Sequence, residues 1–464
     1  SFEQVEGTWR QSYGREAKAH YAFYVREVND FEQLSEEVAK LQASFSIESL
    51  PLFKALYARL GEECYLCLIS HHLLIDYVSW RIFLEDLDSL LHQYLQNKTL
   101  VLPLPTASLH TWLGCLEHFA QSTSYQEAAK YWSGIARQAS SLSLVADASV
   151  PNHYALRSSA GFALSREESR QIAVALQQPN RVELQTLLLI AFAEALHKVL
   201  GERAYSVLLE SHGREGLPDM PDLSRSVGWF TSLYPVLLQA PQSVEALLDF
   251  QENLKKVPQK GLSYGLWLQA QKSPQLPALL FNFLGSFSSQ EGSNAEDTLF
   301  ILLDENMGQD IGNDLERGHE WELSSQIFDE CLQVSLLYVP GRHLTEQVEA
   351  LILCLKEALF AWSSRLQAQP KRLPVGSDYS FSELSVATLY ALEQEYGSIE
   401  DIYPLSPIQE GLLFQALAAP ESSAYLEQMV QRIKGELDTE LLAQAYRALI
   451  AQHPALRTFF RSDL

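Results

Sequence analysis

The chain has 464 residues, of which 47% are hydrophobic and 20% are charged, and its formal net charge is −24. This composition predicts a globular protein with large buried cores, and the length is sufficient for about two to four domains. The negative charge argues against nonspecific nucleic-acid binding, which requires a positive surface, and it identifies no other partner.

The five cysteines are scattered and odd in number, which fits a reducing cytoplasm better than a disulfide framework. Cys64 and Cys67 have the spacing of a metal-binding pair, but alternation along a strand would direct them to opposite faces. No second pair completes a zinc site. No signal peptide is visible, and the most apolar run, at 184–196, is too short to span a membrane and contains Glu194. We therefore expect a cytoplasmic protein with no bound metal and no membrane partner.

Strand-like and helical patterns alternate from the beginning of the chain. Residues 20–28, HYAFYVREV, predict a strand, and residues 31–42 predict an amphipathic helix. Residues 65–69 predict a strand that is buried on both faces. A helix follows, because apolar residues recur at helical spacing from Phe83, and Ser79 is its predicted cap.

Between this strand and this helix stands SHHLLIDYVSW, at 70–80. His71 and His72 are adjacent, and Asp76 follows four residues after the second histidine. Histidine titrates nearest to neutral pH, and a turn at the end of a core strand can present its ring to a cleft. The alternative is a pair of core histidines held by hydrogen bonds. The spacing and its place beside a buried strand favour a functional role.

The chain after the prolines at 103 and 105 contains further predicted elements. They are, in order, a helical region at 109–135, a strand at 155–164, a helix at 165–178 capped by Ser165, a helix at 182–200 and a strand at 204–209. A loop rich in Ser, Ala and Asp, at 142–153, marks the predicted boundary between two lobes.

A polar cluster, ESHGREG at 210–216, follows directly after the last of these strands. Glu210, His212, Arg214 and Glu215 lie within six residues, which favours chemistry at the end of a strand. A salt-bridged turn, in which Arg214 holds one carboxylate, explains the same spacing equally well. The cluster alone leaves both interpretations open.

Two of these segments resemble motifs of one family. HHLLIDYVSW resembles the HHxxxD signature of the condensation-domain superfamily of nonribosomal peptide synthetases, a signature also found in other acyltransferases with the chloramphenicol-acetyltransferase-like fold. Its VSW ending is similar to the epimerization branch. ESHGREG resembles the EGHGRE motif of epimerization domains, with Ser211 in place of Gly. Tyr77 is a departure, since the family usually has Gly directly after the aspartate.

Three further motifs follow in the order and spacing of epimerization domains. RSVGWFTSLYPVLL, at 225–238, resembles RTVGWFTxxYPV, and VPQKGLSYG, at 257–265, resembles a motif that ends in YG and here contains Tyr264. FNFLGSF, at 281–287, resembles FNYLG and contains Asn282, with Phe283 in place of Tyr. The resemblance to an epimerization domain extends to about residue 366.

The resemblance implies an α/β fold of two lobes, of the chloramphenicol-acetyltransferase type, with a truncated N-terminal lobe. The lobes, 1–150 and 151–366, would each hold a mixed sheet flanked by helices and would meet in a V with the active site at its floor. Residues 367–398 contain Pro, Gly, Ser and a basic pair and predict a linker. Residues 399–464, with YPLSPIQEGLLF and HPALRTFF, resemble the opening of a following condensation domain. We therefore expect the chain to be an excerpt of a longer polypeptide.

The resemblance also implies a reaction, the epimerization from L to D at Cα of an aminoacyl or peptidyl thioester. An upstream carrier domain would deliver the substrate on its 4′-phosphopantetheine arm, and a downstream condensation domain would lie in the same polypeptide. No metal, flavin or pyridoxal motif appears, which fits a cofactor-independent proton transfer.

The family's catalytic residues correspond to His72 and Glu210, which the resemblance places across the channel from one another. His72 would either be the opposing acid/base or hold the enolate oxygen. The predicted supporting residues are His71, Asp76, Arg214, Asn282 and Tyr264. Among these, the resemblance implies that Asp76 pairs with an arginine and, like His71, shapes the loop.

Two other functions stay open at this point. A condensation domain forms amide bonds with the same HHxxxD loop, although the motifs after position 210 favour epimerization. A catalytically silent family member is the third possibility, and its only support is the three departures at Tyr77, Ser211 and Phe283.

Overall fold

A computed structural model of the chain describes residues 2–12, 21–138, 144–177, 179–202, 204–271, 276–287, 299–301, 303, 307–308, 311–418 and 427–461. The chain forms two compact units, Ser1–Asp401 and Ile402–Leu464. The first unit contains both predicted lobes, and each unit is described by itself below.

In its described residues, the N-terminal lobe is built from short strands and four α-helices. Its strands are β1 (Phe2–Val5), β2 (Thr8–Gln11), β3 (Ala22–Glu27), β4 (Phe53–Leu60) and β5 (Glu63–Ser70). Its helices are α1 (Phe31–Ala43), α2 (Tyr77–Leu95), α3 (Leu109–Phe119) and α4 (Thr123–Gln138). Strands β1 and β2 form a hairpin, whereas β4 pairs with β3 in parallel and with β5 antiparallel. Buried Leu34 and Val38 of α1 pack with Leu56 and Ile69 of this three-stranded sheet.

Three local predictions for this lobe are wrong in detail. Strand β5, predicted to be buried on both faces, is half-buried or exposed at most positions, because it lies at the edge of its three-stranded sheet. Asp76, not Ser79, caps α2, and its carboxylate accepts the Ser79 N–H at 2.8 Å. The reason is that α2 begins at Tyr77, so Ser79 already lies in its first turn. The predicted helical region at 109–135 is two helices, because the chain turns after Phe119 and Ser122 accepts the N–H of Tyr125.

The C-terminal lobe holds a six-stranded mixed sheet. Its strands are β6 (Ser158–Ala163), β7 (Ala204–Ser211), β8 (Ser232–Gln239), β9 (Leu279–Phe287), β10 (Trp321–Phe328) and β11 (Cys331–Tyr338). They lie in the order β6-β11-β10-β9-β7-β8, and the two pairs that contain β9 are parallel. Its helices are α5 (Arg166–Gln177), α6 (Leu184–Leu200), α7 (Val244–Lys255), α8 (Leu262–Gln269) and α9 (Thr345–Gln367).

Helices α6 and α9 cover one face of this sheet and form the main core with it. Helix α6 is apolar on almost every side, with residues 186–193, Ala195 and Leu196 buried, as expected of a helix inside a large core. Leu209, Phe281 and Leu323 of the sheet belong to the same core. Because side chains alternate along a strand, the residues next to them point to the opposite face, which we call the site face.

Residues 367–398, which the sequence predicts to be a linker, pack against the C-terminal lobe. Helix α10 (Val386–Tyr396) begins where the N–H of Val386 donates to Asp249 of α7, at 2.8 Å. Val386 and Leu389 are fully buried, and burial of their apolar side chains favours this packing.

The second unit contains α11 (Pro407–Ala418) and α12 (Thr439–Gln452). Asp438 caps α12 by accepting the N–H groups of Glu440 and Leu441. Neither helix has a buried residue, and most of their apolar side chains are exposed. Within the described ranges of the whole chain, no helix is both long and apolar enough to cross a membrane.

Candidate functional site

The histidine loop lies between β5 and α2 and presents His72. The Nδ1 atom of His72 is 3.0 Å from the carbonyl oxygen of Ile75. A carbonyl only accepts hydrogen bonds, so in the neutral form of the ring this contact assigns the proton to Nδ1 and the lone pair to Nε2. Nε2 is therefore available as a base or, once protonated, as a donor.

His71 has a different environment from its neighbour. Its Nδ1 accepts the N–H of Leu73 at 3.2 Å, and its ring meets the ring of Phe45 edge-on. Burial, and secondarily the charge of His72, lowers the pKa of His71. His71 thus contributes to the shape of the loop as a neutral ring.

Asp76 is 1% exposed and holds the histidine loop in place. Besides its bonds to the backbone and hydroxyl of Ser79, its carboxylate accepts the N–H of Phe230 at 3.1 Å. The Nη2 atom of Arg214 donates to both carboxylate oxygens, at 2.8 and 3.0 Å. With these donors around it, the carboxylate is directed at the protein and not at a substrate.

Arg214 connects the ESHGREG segment to the histidine loop. Its Nη1 atom donates to the carbonyls of Leu223 and Ser226, and its guanidinium lies 4.3 Å from the ring centre of Phe230. The sequence left open whether Arg214 forms a salt bridge within its own turn. The structure shows a salt bridge to Asp76, a residue of the other lobe.

Gly213 allows the ESHGREG segment to approach the backbone of Phe230 closely. Its φ is +65°, and a Cβ atom at this position would lie 1.7 Å from the carbonyl oxygen of Phe230. Only glycine accommodates both the left-handed backbone and this contact.

Glu210 lies on the site face near the end of β7. The sequence predicted that Glu210 follows the strand. Strand β7 instead extends to Ser211, so Glu210 lies inside it. Its Oε2 atom accepts a hydrogen bond from Nδ2 of Asn282 on the adjacent strand β9, at 2.5 Å. Burial raises the pKa of Glu210, the bond from Asn282 opposes this, and the charge of Glu322 adds to the increase. A carboxylate in this setting is a stronger base than an exposed one.

Phe283 and Tyr264 both lie in apolar surroundings. Phe283 is next to Asn282 in β9 and packs against the main core on the opposite face of the sheet. Tyr264 is 3% exposed and packs with Trp132 and Trp267 against β7 and β9. Burial raises the pKa of Tyr264. Its position supports the sheet that carries Glu210.

Several residues to which sequence analysis assigned no role complete the site. The ring of Trp229 lies 4.1 Å from that of His72, between centres, and the carbonyl of Gly228 accepts the N–H of Asp76. The ring of Tyr77 meets that of Phe287, at the end of β9, edge-on at 5.1 Å. The sequence places Trp229 in the VGWFT motif, but this motif does not indicate that its ring contacts the ring of His72.

A cavity of about 2460 Å³ reaches the histidine loop from the N-terminal lobe. Its lining includes His71, His72, Ile75 and Trp80, and Glu210 and Asn282 are not part of it. The cavity is therefore adjacent to one side of the site, whereas Glu210 lies on the sheet of the other lobe. In the part of the chain that is described, no three His, Cys, Asp or Glu side chains are grouped to hold a metal ion.

The family model described as "Condensation domain" matches residues 1–381 and 399–464. One of the linear gramicidin synthase proteins from Brevibacillus parabrevis is 31% identical over 444 residues, which cover 92% of this chain and 6% of that protein. Bacitracin synthase 3 from Bacillus licheniformis is 27% identical, and the match covers 95% of this chain and 7% of that protein. The chain thus spans less than a tenth of the length of these relatives.

Solved structures show the same fold. The epimerization domain from the third module of tyrocidine synthetase B is 25% identical with a TM-score of 0.71, covering 79% of this chain and 84% of that one. The first condensation domain of the calcium-dependent antibiotic synthetase is 16% identical with a TM-score of 0.57, covering 80% and 84%. The predicted two-lobed α/β fold of the chloramphenicol-acetyltransferase type is therefore confirmed.

Proposed function

The chain belongs to the condensation-domain family, and we propose that within this family it epimerizes an aminoacyl or peptidyl thioester at Cα. The observation that carries the proposal is Glu210, a partly buried carboxylate that Asn282 holds on the site face and whose pKa is raised by burial. Removal of a weakly acidic proton needs such a placed base. The similarity to the tyrocidine synthetase epimerization domain supports the same assignment.

The reaction breaks and re-forms one bond. A base takes the proton from Cα, and the electron pair of the C–H bond moves into an enolate on the thioester oxygen. A second group then returns a proton to Cα from the opposite face, and the enolate collapses to the thioester of the inverted residue. Atoms and electrons balance without an oxidant or reductant.

Glu210 is the proposed acid/base on one face of Cα. His72, with a free lone pair on Nε2, is either the acid/base on the other face or, when protonated, the donor to the enolate oxygen. Asp76, Arg214 and Trp229 act through position, because they hold the loop that carries His72.

The substrate in this proposal is carried on the 4′-phosphopantetheine arm of an upstream carrier domain, and a condensation domain follows in the same polypeptide. The relatives are much longer synthetases, of which this chain matches one part. The proposal assigns the chain no cofactor of its own, since the arm belongs to the carrier.

The test uses the chain in its native polypeptide, with the carrier loaded with an L-aminoacyl or L-peptidyl thioester in deuterated water. We expect a D/L mixture that carries one α-deuterium, detected by chiral chromatography and mass spectrometry after hydrolysis. Glu210→Gln should slow the exchange about a hundredfold or more, the range for a lost acid/base. Glu215→Gln is the matched control, because this carboxylate of the same segment is exposed.

Three results would contradict the proposal in whole or in part. An L-product without deuterium, on a carrier shown to be loaded, would mean a silent domain. A new amide formed with an acceptor thioester, again without α-deuterium, would mean a condensation domain. Exchange by Glu210→Gln at the wild-type rate would remove Glu210 from the mechanism.

A further inference from the structure

A row of polar residues crosses the site face beside Glu210. The strand register places Asn282 of β9 opposite Ser324 of β10, Ser324 opposite Ser335 of β11, and Ser335 opposite Gly161 of β6. We call Asn282, Ser324 and Ser335, with Gly161 at their end, the polar row. It continues from Asn282, which holds the Glu210 carboxylate, to the edge of the sheet.

The polar row points away from the core of the lobe. Leu323 and Leu336, the neighbours of Ser324 and Ser335 in sequence, are buried against α6 and α9 on the other face. Both serines are half-buried. Within the described residues neither hydroxyl is engaged in a hydrogen bond, so both remain available to a ligand. A hydroxyl can donate to a carbonyl and accept from an N–H group, which are the two groups of an amide.

The dimensions of the row correspond to a short peptide. Neighbouring strands lie about 4.8 Å apart, so three strand intervals separate Glu210 from Ser335 by roughly 14 Å. An extended chain advances about 3.4 Å per residue, so roughly four residues span this distance. The row ends at Gly161, which is exposed on the edge strand β6 and leaves the way open for a longer chain.

We infer that the polar row binds the amide groups of the acyl chain that precedes the reacting residue, so that the preferred substrate is a peptidyl thioester of several residues. This inference rests on the proposed function, because Cα must lie at Glu210 for the rest of the chain to reach Ser324 and Ser335. Hydroxyl groups that bind backbone amides select for chain length and accept any side chains. An aminoacyl thioester is too short to reach Ser335.

The test compares two loaded carriers in deuterated water, one with an aminoacyl and one with a pentapeptidyl thioester, in the native polypeptide. We expect faster α-deuterium incorporation into the pentapeptidyl substrate. Ser335→Ala should slow that substrate about fivefold, the factor of one net hydrogen bond, and leave the aminoacyl substrate unchanged. Ser335→Leu, which fills the row, should slow the pentapeptidyl substrate further.

Ser159→Ala is the matched control. Ser159 lies on the same strand and face as Gly161 but outside the polar row, and its loss should leave both rates unchanged. The aminoacyl rate reports in every variant whether the site is still folded.

Three outcomes would overturn the inference. Equal rates on the two substrates, unaffected by either Ser335 variant, would exclude a role for the row and leave the proposed epimerase intact. Parallel losses on both substrates would mean a structural effect of Ser335. Absence of exchange on every substrate would instead refute the proposed function, and the inference with it.

Discussion

Nη2 of Arg214 lies 2.8 and 3.0 Å from the two carboxylate oxygens of Asp76, although 138 positions separate the two residues in sequence. The side chain of Arg214 is 6% exposed and that of Asp76 is 2% exposed. This ion pair joins the segment that carries Glu210 to the loop that carries His72, so it fixes both halves of the candidate site at once.

Asp76→Asn should lower the free energy of unfolding by about 3–5 kcal/mol, because it leaves the buried guanidinium of Arg214 without its counter-charge. Urea unfolding measures this loss. The control is Asp86→Asn, which breaks the more exposed pair of Asp86 with Arg225 and should cost about 1 kcal/mol or less. Equal losses of unfolding free energy in the two variants would show that the buried ion pair of Asp76 and Arg214 contributes no more stability than the exposed pair.

Glu210→Gln should make the protein more stable than the wild type at pH 7. Burial raises the pKa of Glu210, so the folded wild type binds this proton more tightly than the unfolded chain does. The stability of the wild type therefore falls as the pH rises from the ordinary carboxyl pKa through the raised one, whereas glutamine does not ionise. Melting temperatures from pH 4 to pH 8 should show a difference that disappears at the acid end. A variant less stable than the wild type at pH 7 would contradict this account.

Phe283→Tyr should change the rate of α-deuterium exchange by less than about twofold. The side chain packs into the main core, so a hydroxyl at this position does not reach Glu210. The same hydroxyl should cost about 1–3 kcal/mol of stability if the core offers it no partner. Asn282→Leu is the comparison, since it removes the donor to Glu210 and should slow exchange. A rate increase of tenfold or more in Phe283→Tyr would place this side chain at the substrate.

Leu389→Ala should destabilise the first unit by about 2–5 kcal/mol, the usual cost of truncating a fully buried leucine. Leu389 belongs to α10, in a segment that the sequence predicts to be a linker. Leu353→Ala is the control, because Leu353 is exposed on α9 and its truncation should have little effect. Chemical unfolding of the two variants checks this. Equal, small effects would mean that the segment is a spacer with little packing energy.

Local patterns in the sequence predicted most of the elements near the site. The helix predicted at 31–42 is α1, Phe31–Ala43, and the strand predicted at 204–209 is β7, Ala204–Ser211. Such patterns are reliable because periodicity depends on residues a few positions apart. The prediction that Ser79 caps α2 is wrong, because Asp76 is an equally suitable cap residue and only the position of the first helical turn distinguishes the two.

The order of the motifs in the sequence was enough by itself to predict the two-lobed fold. It also identified His72 and Glu210 as candidate catalytic residues. Only the tertiary structure decided the partners: Arg214 with Asp76, Asn282 with Glu210, Trp229 with His72, and the core side of the sheet for Phe283. The physical reason is that strand register and the packing of the lobes set these contacts. A shift of one residue in strand register would turn Glu210, Asn282 and Phe283 to the other face of the sheet.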